Sequence, residues 1–291
     1  DDAQFPSEGS SDPSLEGKLT FVITANCLYC ANTGYPITVD GLKALCDSFL
    51  STKTRSKPTI GFKGIGYKSV LGITESPSIF WHNGCVGFSK EDAWKIFVKV
   101  VPNVTKEQIP ILRYPIDLSL DTELIEDSIL KELWKTHTTV FRFPFRKGIK
   151  TEEVWARLQE VTPSTLLFTH HLAKVEIKAL DLPYSSVSFD IIRKHSTSFA
   201  EMEHTVIVSE GIKSSWLVAR EMCTVPDSER PLFPRDAQDV RAVEVAVALE
   251  VNESTQRVKP YNLGGQFPKL HVFFPTDQLV PFRILLNGNF R

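Results

Sequence analysis

No stretch of this sequence approaches the roughly 18 consecutive apolar residues that a membrane-crossing helix needs, and its first residues lack the basic-then-apolar pattern of a secretory signal. Charge of one sign is also lacking. The 33 lysines and arginines face 35 aspartates and glutamates, a net charge of −2, so no overall field draws the chain to nucleic acid or an anionic membrane. Neither an internal repeat nor a low-complexity tract is present, which argues against a solenoid. Cysteines are few: Cys27, Cys30, Cys46, Cys85 and Cys223 form an odd, scattered set. In a chain this long, that suits reduced thiols and an intracellular setting better than a disulfide framework. Cys27 and Cys30 have a metal-like spacing, but no second Cys or His pair follows at zinc-ligand distance and both lie in a strand-like run. Core thiols are therefore expected.

What the 291 residues do contain is an ordinary globular balance, 42% apolar and 23% charged, enough to bury a sizeable core. At about 150 residues per domain, two domains are expected. Residues 4–17 are polar and turn-rich, 18–26 (KLTFVITAN) read as a strand, and Asn32-Thr33-Gly34-Tyr35-Pro36 has turn chemistry. Thr38 can cap a helix with Leu42, Leu45, Cys46, Phe49 and Leu50 on one face. Segments 78–81 and 85–88 flank His82-Asn83-Gly84 as a hairpin, 121–136 has the spacing of one helix, and 137–145 alternates as a strand. After a helix near 151–160, the composition shifts to short β segments at 174–179, 204–209, 215–220, 240–251 and 269–274. The expected fold class is α+β in both halves, with a boundary near residue 163.

The segment richest in chemistry begins with the polar, basic run 51–58 (STKTRSKP) and enters Gly61-Phe62-Lys63-Gly64-Ile65-Gly66-Tyr67-Lys68-Ser69-Val70. Several glycines ahead of a helix let backbone N–H groups approach phosphate oxygens without Cβ obstruction. Two better-known phosphate motifs do not fit. Gly61 and Gly66 have Walker A spacing, but Tyr67 displaces Lys68-Ser69 by one residue. Gly64-x-Gly66-x-x-Ser69 lacks the last glycine of a dinucleotide fingerprint and follows no apolar strand. On these residues alone, a tight turn without a ligand is an equal alternative.

In order, Asp1-Asp2-Ala3, Asn32-Thr33-Gly34, Ser51-Thr52-Lys53, the glycine-rich segment and His137-Thr138-Thr139-Val140 resemble the motif series of GHKL ATPases, the class of gyrase, the large heat-shock chaperones, histidine kinases and MutL. Within that class, NTGYPITVDGLKALCDSFLSTK and IGFKGIGYKSVLGITESPSIF are most similar to sacsin-like and NO VEIN-like ATPase domains. The match covers about residues 1–145, with a fainter echo to the end. It implies a two-layer α/β sandwich (the Bergerat, histidine-kinase-like fold) over residues 1–163 and an incomplete transducer-like α+β domain over 164–291.

The resemblance also implies roles. Asn32 stands where the family usually has an Asp that binds the adenine amino group, and its side-chain oxygen can accept the same bond. Thr33 and Gly34 would shape the turn under the base, Ile37 would lie beneath the ring, and Thr138 would support adenine recognition. Ser51, Thr52 and Lys53 would open the ATP lid. Gly61, Gly64 and Gly66, with the amides of Ile65 and Tyr67 and the motif lysines Lys63 and Lys68, would meet the phosphates. His137 replaces a glycine frequent in the family. If Asp2-Ala3 is the tail of the family's E-x-x-x-N-A-x-D-A helix, the water-activating Glu and the Mg²⁺-binding Asn lie before residue 1, so a fragment of a longer protein is expected.

The function implied is Mg-ATP binding in a nucleotide-driven conformational switch, with hydrolysis in the longer parent. ATP and ADP are the expected partners; a protein client or self-association is allowed for, a membrane is not expected and nucleic acid is not indicated. Two alternatives stand beside it: a degenerate interaction or scaffold module whose pocket is retained only structurally, and a histidine-kinase core, which fits the long β-rich second half poorly.

Overall fold

The computed structural model describes residues 17–46, 67–195, 202–232, 242–255, 257–261, 267–272 and 274–288. They divide into two units. The first comprises the described residues up to Gln159 together with Lys174–Val187; the second comprises Glu160–Ala173 and the described residues from Ser188 onward. A single boundary near residue 163 misses the return of Lys174–Val187 to the first unit.

In the first unit, β1 (Gly17–Ile23) and β2 (Cys27–Asn32) form an antiparallel hairpin. Its turn is closed by the Thr24 hydroxyl, which accepts the N–H groups of Asn26 and Cys27 at 3.3 and 3.1 Å. Helix α1 (Val39–Cys46) starts where expected: the Thr38 hydroxyl accepts the Gly41 N–H at 3.0 Å. The expected hairpin is β3 (Ser78–Trp81) with β4 (Gly84–Phe88). Helix α2 (Lys90–Phe97) follows, with Ser89 as its cap accepting the Asp92 N–H at 3.2 Å. Then come β5 (Pro115–Asp117), α3 (Leu120–Glu126), α4 (Ser128–Thr136), β6 (Thr139–Pro144) and α5 (Thr151–Leu158). With β7 (Leu172–Ala179), the strands of this unit run in the order β7-β1-β2-β6-β3-β4-β5.

The single helix expected over 121–136 is two helices. Asp127 leaves the helical conformation (φ −121°), and its carboxylate accepts the Leu130 N–H at 2.9 Å to start α4. The other carboxylate oxygen accepts the Tyr29 hydroxyl at 2.8 Å and lies 3.3 Å from the Arg142 guanidinium. Arg142 also meets Glu123 at 2.7 Å and stacks over Phe80, 5.0 Å from the ring centre. The junction is therefore anchored to β2 and β6, which helical periodicity alone cannot register.

Successive strand residues point to opposite faces, and the register sorts them. Val22, Tyr29, Ala31, Val140, Phe80 and Cys85 share one face, where they pack with Leu130 and Leu133 of α4. Burying a side chain the size of Leu130 or Phe80 contributes about 1.5–3 kcal/mol. The opposite face carries Leu19, Asn32, Thr139 and Trp81 in one row and Phe21, Cys30, Phe141, Ile79 and Val86 in the next. It is covered by α1, the 3₁₀ turn Tyr67–Gly72 and the 3₁₀ turn Ile111–Arg113.

The second unit contains the short helix α6 (Pro163–Leu166), β8 (Val187–His195), β9 (Met202–Ser209), β10 (Ile212–Thr224), β11 (Ala242–Asn252), β12 (Arg257–Lys259), β13 (Lys269–Val272), β14 (Phe274–Leu279) and β15 (Leu285–Gly288). Its path is β14-β13-β15-β11-β10-β9-β8, with β12 on β11. The two-residue β9–β10 turn, Glu210-Gly211, has both φ angles positive (51° and 77°), as the twist of a tight hairpin demands. Among the described residues, β5 and β14 end their units' paths, and each carries a proline, Pro115 and Pro275. No helix among the described residues is long and apolar enough to cross a membrane.

Candidate functional site

Four of the expected site residues form one corner at the end of β2. Asn32, its last residue, donates from Nδ2 to the Thr33 carbonyl at 2.9 Å. Thr33 is tied to the start of β1 by two bonds, its N–H donating to the Lys18 carbonyl at 3.0 Å and its hydroxyl accepting the Lys18 N–H at 2.8 Å. Gly34 follows with φ 109°, a conformation that side chains resist. Thr138, just ahead of β6, donates both its N–H and its hydroxyl to the Asn32 carbonyl, each at 3.0 Å. The strand residue after it, Thr139, is only 3% exposed and stands opposite Asn32 and Trp81 in the register. Of the two adjacent threonines only Thr138 was given a role from the sequence; the two-residue period of β6 puts Thr139 on the face of Asn32.

Ile37 and Tyr67 converge on the same sheet face, both packing on the cluster of Ile79, Val86, Phe88, Ile111 and Leu112. The Tyr67 ring lies 5.7 Å from Phe141 and 6.3 Å from Phe143, and its buried hydroxyl has no hydrogen-bond partner among the described residues. Burial pushes its ionisation well above the ordinary tyrosine range, with the neighbouring Cys46 adding to the effect. Lys68 is half-buried in the same 3₁₀ turn. Asp2, Ser51, Thr52, Lys53, Gly61, Lys63, Gly64, Ile65 and Gly66 lie outside the described residues. Cys27 and Cys30 sit on opposite faces of β2, so their spacing makes no ligand pair, and no group of three metal-ligating side chains occurs among the described residues.

No family model matches this chain. It is similar to Protein NO VEIN of Arabidopsis thaliana, with 27% identity over 229 residues. The match takes in 76% of this chain but only 7% of that protein's length.

On the other sheet face, His137 caps α4 and is 4% exposed. Its Nε2 is 2.9 Å from the Thr20 hydroxyl and its Nδ1 3.1 Å from the Leu133 carbonyl. Burial lowers its pKa to about 4, outweighing the Leu133 bond, so the imidazole is neutral at neutral pH. A nearby carboxylate, Glu176 of β7, takes Lys18 at 2.9 Å, Lys178 at 3.0 Å and Lys174 at 3.5 Å. Burial opposes its ionisation, but Lys18 and Lys178 prevail and hold its pKa at about 2. Neither group was singled out for these roles in the sequence.

Proposed function

We propose that the first unit is an ATP-binding domain of the NO VEIN-like, GHKL type, a Bergerat α/β sandwich that takes adenine at the Asn32 corner. One observation carries the reading: the Asn32-Thr33-Gly34 turn and Thr138 are locked together at the edge of the sheet face on which Ile37 and Tyr67 pack. One Asn32 amide N–H is spent on the Thr33 carbonyl, and the amide oxygen can accept a donor from a base edge. A nucleotide bound here would bring its own Mg²⁺ on the phosphates, and its phosphates would fall to the glycine-rich segment that precedes Tyr67. Hydrolysis would further require a water-activating Glu and an Mg²⁺-binding Asn, and nucleotide exchange would act as a conformational switch through the transducer-like second unit. The five cysteines, none of them in a disulfide among the described residues, favour an intracellular setting.

A non-hydrolysing scaffold is the second reading. It is favoured by Thr138, whose hydroxyl is already committed to the Asn32 carbonyl. Calorimetric titration with Mg-ATP and Mg-GTP separates the two. Saturable binding of ATP, retained in Asn32→Asp and weakened about tenfold or more in Asn32→Leu through loss of one acceptor, supports the nucleotide site. No binding of either nucleotide by the native chain refutes it and favours the scaffold.

A further inference from the structure

The register of the second unit's sheet separates two unlike faces. On one, Ile207, Val218, Ala248 and Leu285 are each 1% exposed or less. That face lies under α6 and the 167–172 turn, where Arg193 donates to the Thr169 carbonyl at 2.8 Å and Arg220 to the Leu167 carbonyl at 3.2 Å. The opposite face is as apolar but open. Val206 of β9, Leu217 and Ala219 of β10, Val247 and Leu249 of β11 and Leu286 of β15 are only half-buried there, and Val258 of β12, beside Val251, is 51% exposed. An antiparallel sheet with one solvated face ordinarily alternates apolar-in with polar-out. This face departs from that pattern, as an interaction surface does. Charge stands near the two ends of β10, at exposed Lys213 and Glu221, four residues to either side of Leu217. Neither has an ion-pair partner among the described residues.

We propose that this face docks on a second copy of the chain, sheet on sheet, about a two-fold axis that crosses β10 at Leu217. An axis running across the strands reverses them, so Lys213 of each copy faces Glu221 of the other. An axis running along the strands would set Lys213 against Lys213 instead. Four residues of strand carry each charge about 14 Å from the axis. Packed sheets cross at about 30°, which displaces the paired charges by about 7 Å, a span that the two long side chains cover. The apolar rows agree with the same axis. Val206, Ser215, Val251 and Val258 form the row on one side of Leu217, and Met202, Ala219, Val247 and Leu286 the row on the other. Because β12 and β15 pair with the same edge of β11, reversal lays the exposed Val258 on Leu286 of the second copy. The row through Leu217 continues to His204 and Lys194; the lysine meets its own copy at the rim, where water and salt screen the repulsion.

Five strands and about 25 Å of strand length give the face on the order of 500 Å² in projection, toward the small end of specific interfaces. Sedimentation velocity of the full chain, from about 1 to about 200 µM at low salt, therefore tests the docking. The expected result is a reversible monomer–dimer equilibrium. Lys213→Glu and Glu221→Lys each turn two attractive contacts of the dimer into repulsive ones and should raise its dissociation constant about tenfold or more. The double variant Lys213→Glu/Glu221→Lys restores both contacts with the signs exchanged and should return to within about threefold of the native value. Both positions are exposed, so the reversals leave the fold intact, as circular dichroism would verify. A native chain that stays monomeric throughout overturns the proposal and leaves the face to a different partner. A dimer that the single reversals do not weaken, or that the double variant does not restore, overturns it as well.

Discussion

Replacing His137 by glutamine should flatten the acid side of the stability profile. In the unfolded chain this imidazole gains a proton as pH falls through about 6.5, whereas in the folded chain burial delays the gain to about pH 4. Between those values the unfolded state binds more protons, so stability falls as pH falls. Each pH unit fully inside the window costs about 1.4 kcal/mol, giving a loss of about 2 kcal/mol by pH 5 and about 3 kcal/mol near pH 4. From about a pH unit above 6.5 both states are essentially neutral and the group contributes almost no slope. His171 and His271, also depressed by burial, act in the same direction, so the native chain loses more than His137 alone accounts for. The informative quantity is the difference between native and variant. Urea unfolding at pH 7.5 and pH 5, followed by fluorescence and by exchange of β6 amides to isolate the first unit, would supply it. Glutamine can still reach Thr20 or Leu133, so a modest cost at pH 7.5 is expected. If the variant loses as much stability between the two pH values as the native chain, the buried neutral imidazole is wrong.

Leu130→Ala removes a side chain with no exposure from the α4 face and should cost about 2–5 kcal/mol of unfolding free energy, read as a shift in urea midpoint at constant slope. Tyr29→Phe deletes one charge-assisted bond to Asp127 and should cost about 1.5–3 kcal/mol. The loss should be much smaller in a background where Asp127→Ala has already removed the acceptor, a coupling that a double-mutant cycle measures.

Much of the first unit was legible because local signals and tertiary packing agree there. Thr38 caps α1, the 78–88 hairpin forms around its turn, and the alternation after His137 becomes β6. The failures have physical causes. The break at Asp127 depends on partners in β2 and β6, far away in sequence. β8 escaped notice because its buried residues are not all apolar: Phe189 and Ile191 alternate with a largely buried Arg193 whose partners lie in other segments. α2 escaped because its one fully buried residue is a small alanine, which leaves a weak apolar stripe; the Ser89 cap ahead of Glu91 and Asp92 was the readable signal. At the site, the Asn32-Thr33-Gly34 turn was legible from residue chemistry. Which of two adjacent threonines faces Asn32 depends on the β2–β6 register, and there Thr139 takes the facing position while Thr138 bonds the backbone.

The prolines of β5 and β14 bear on how the molecule behaves in a crowd. A terminal strand with a full row of donors is a template for another chain, and β14 adds exposed Phe274 and Leu279 to that hazard. Pro275 removes one donor beside Phe274, and Asp277 sets a charge in the middle of the same strand. Pro115 removes a donor from the three-residue β5, which offers little length to pair with in any case. These two strands are thus poor seeds for runaway strand addition, a safeguard against aggregation rather than a contribution to folding stability.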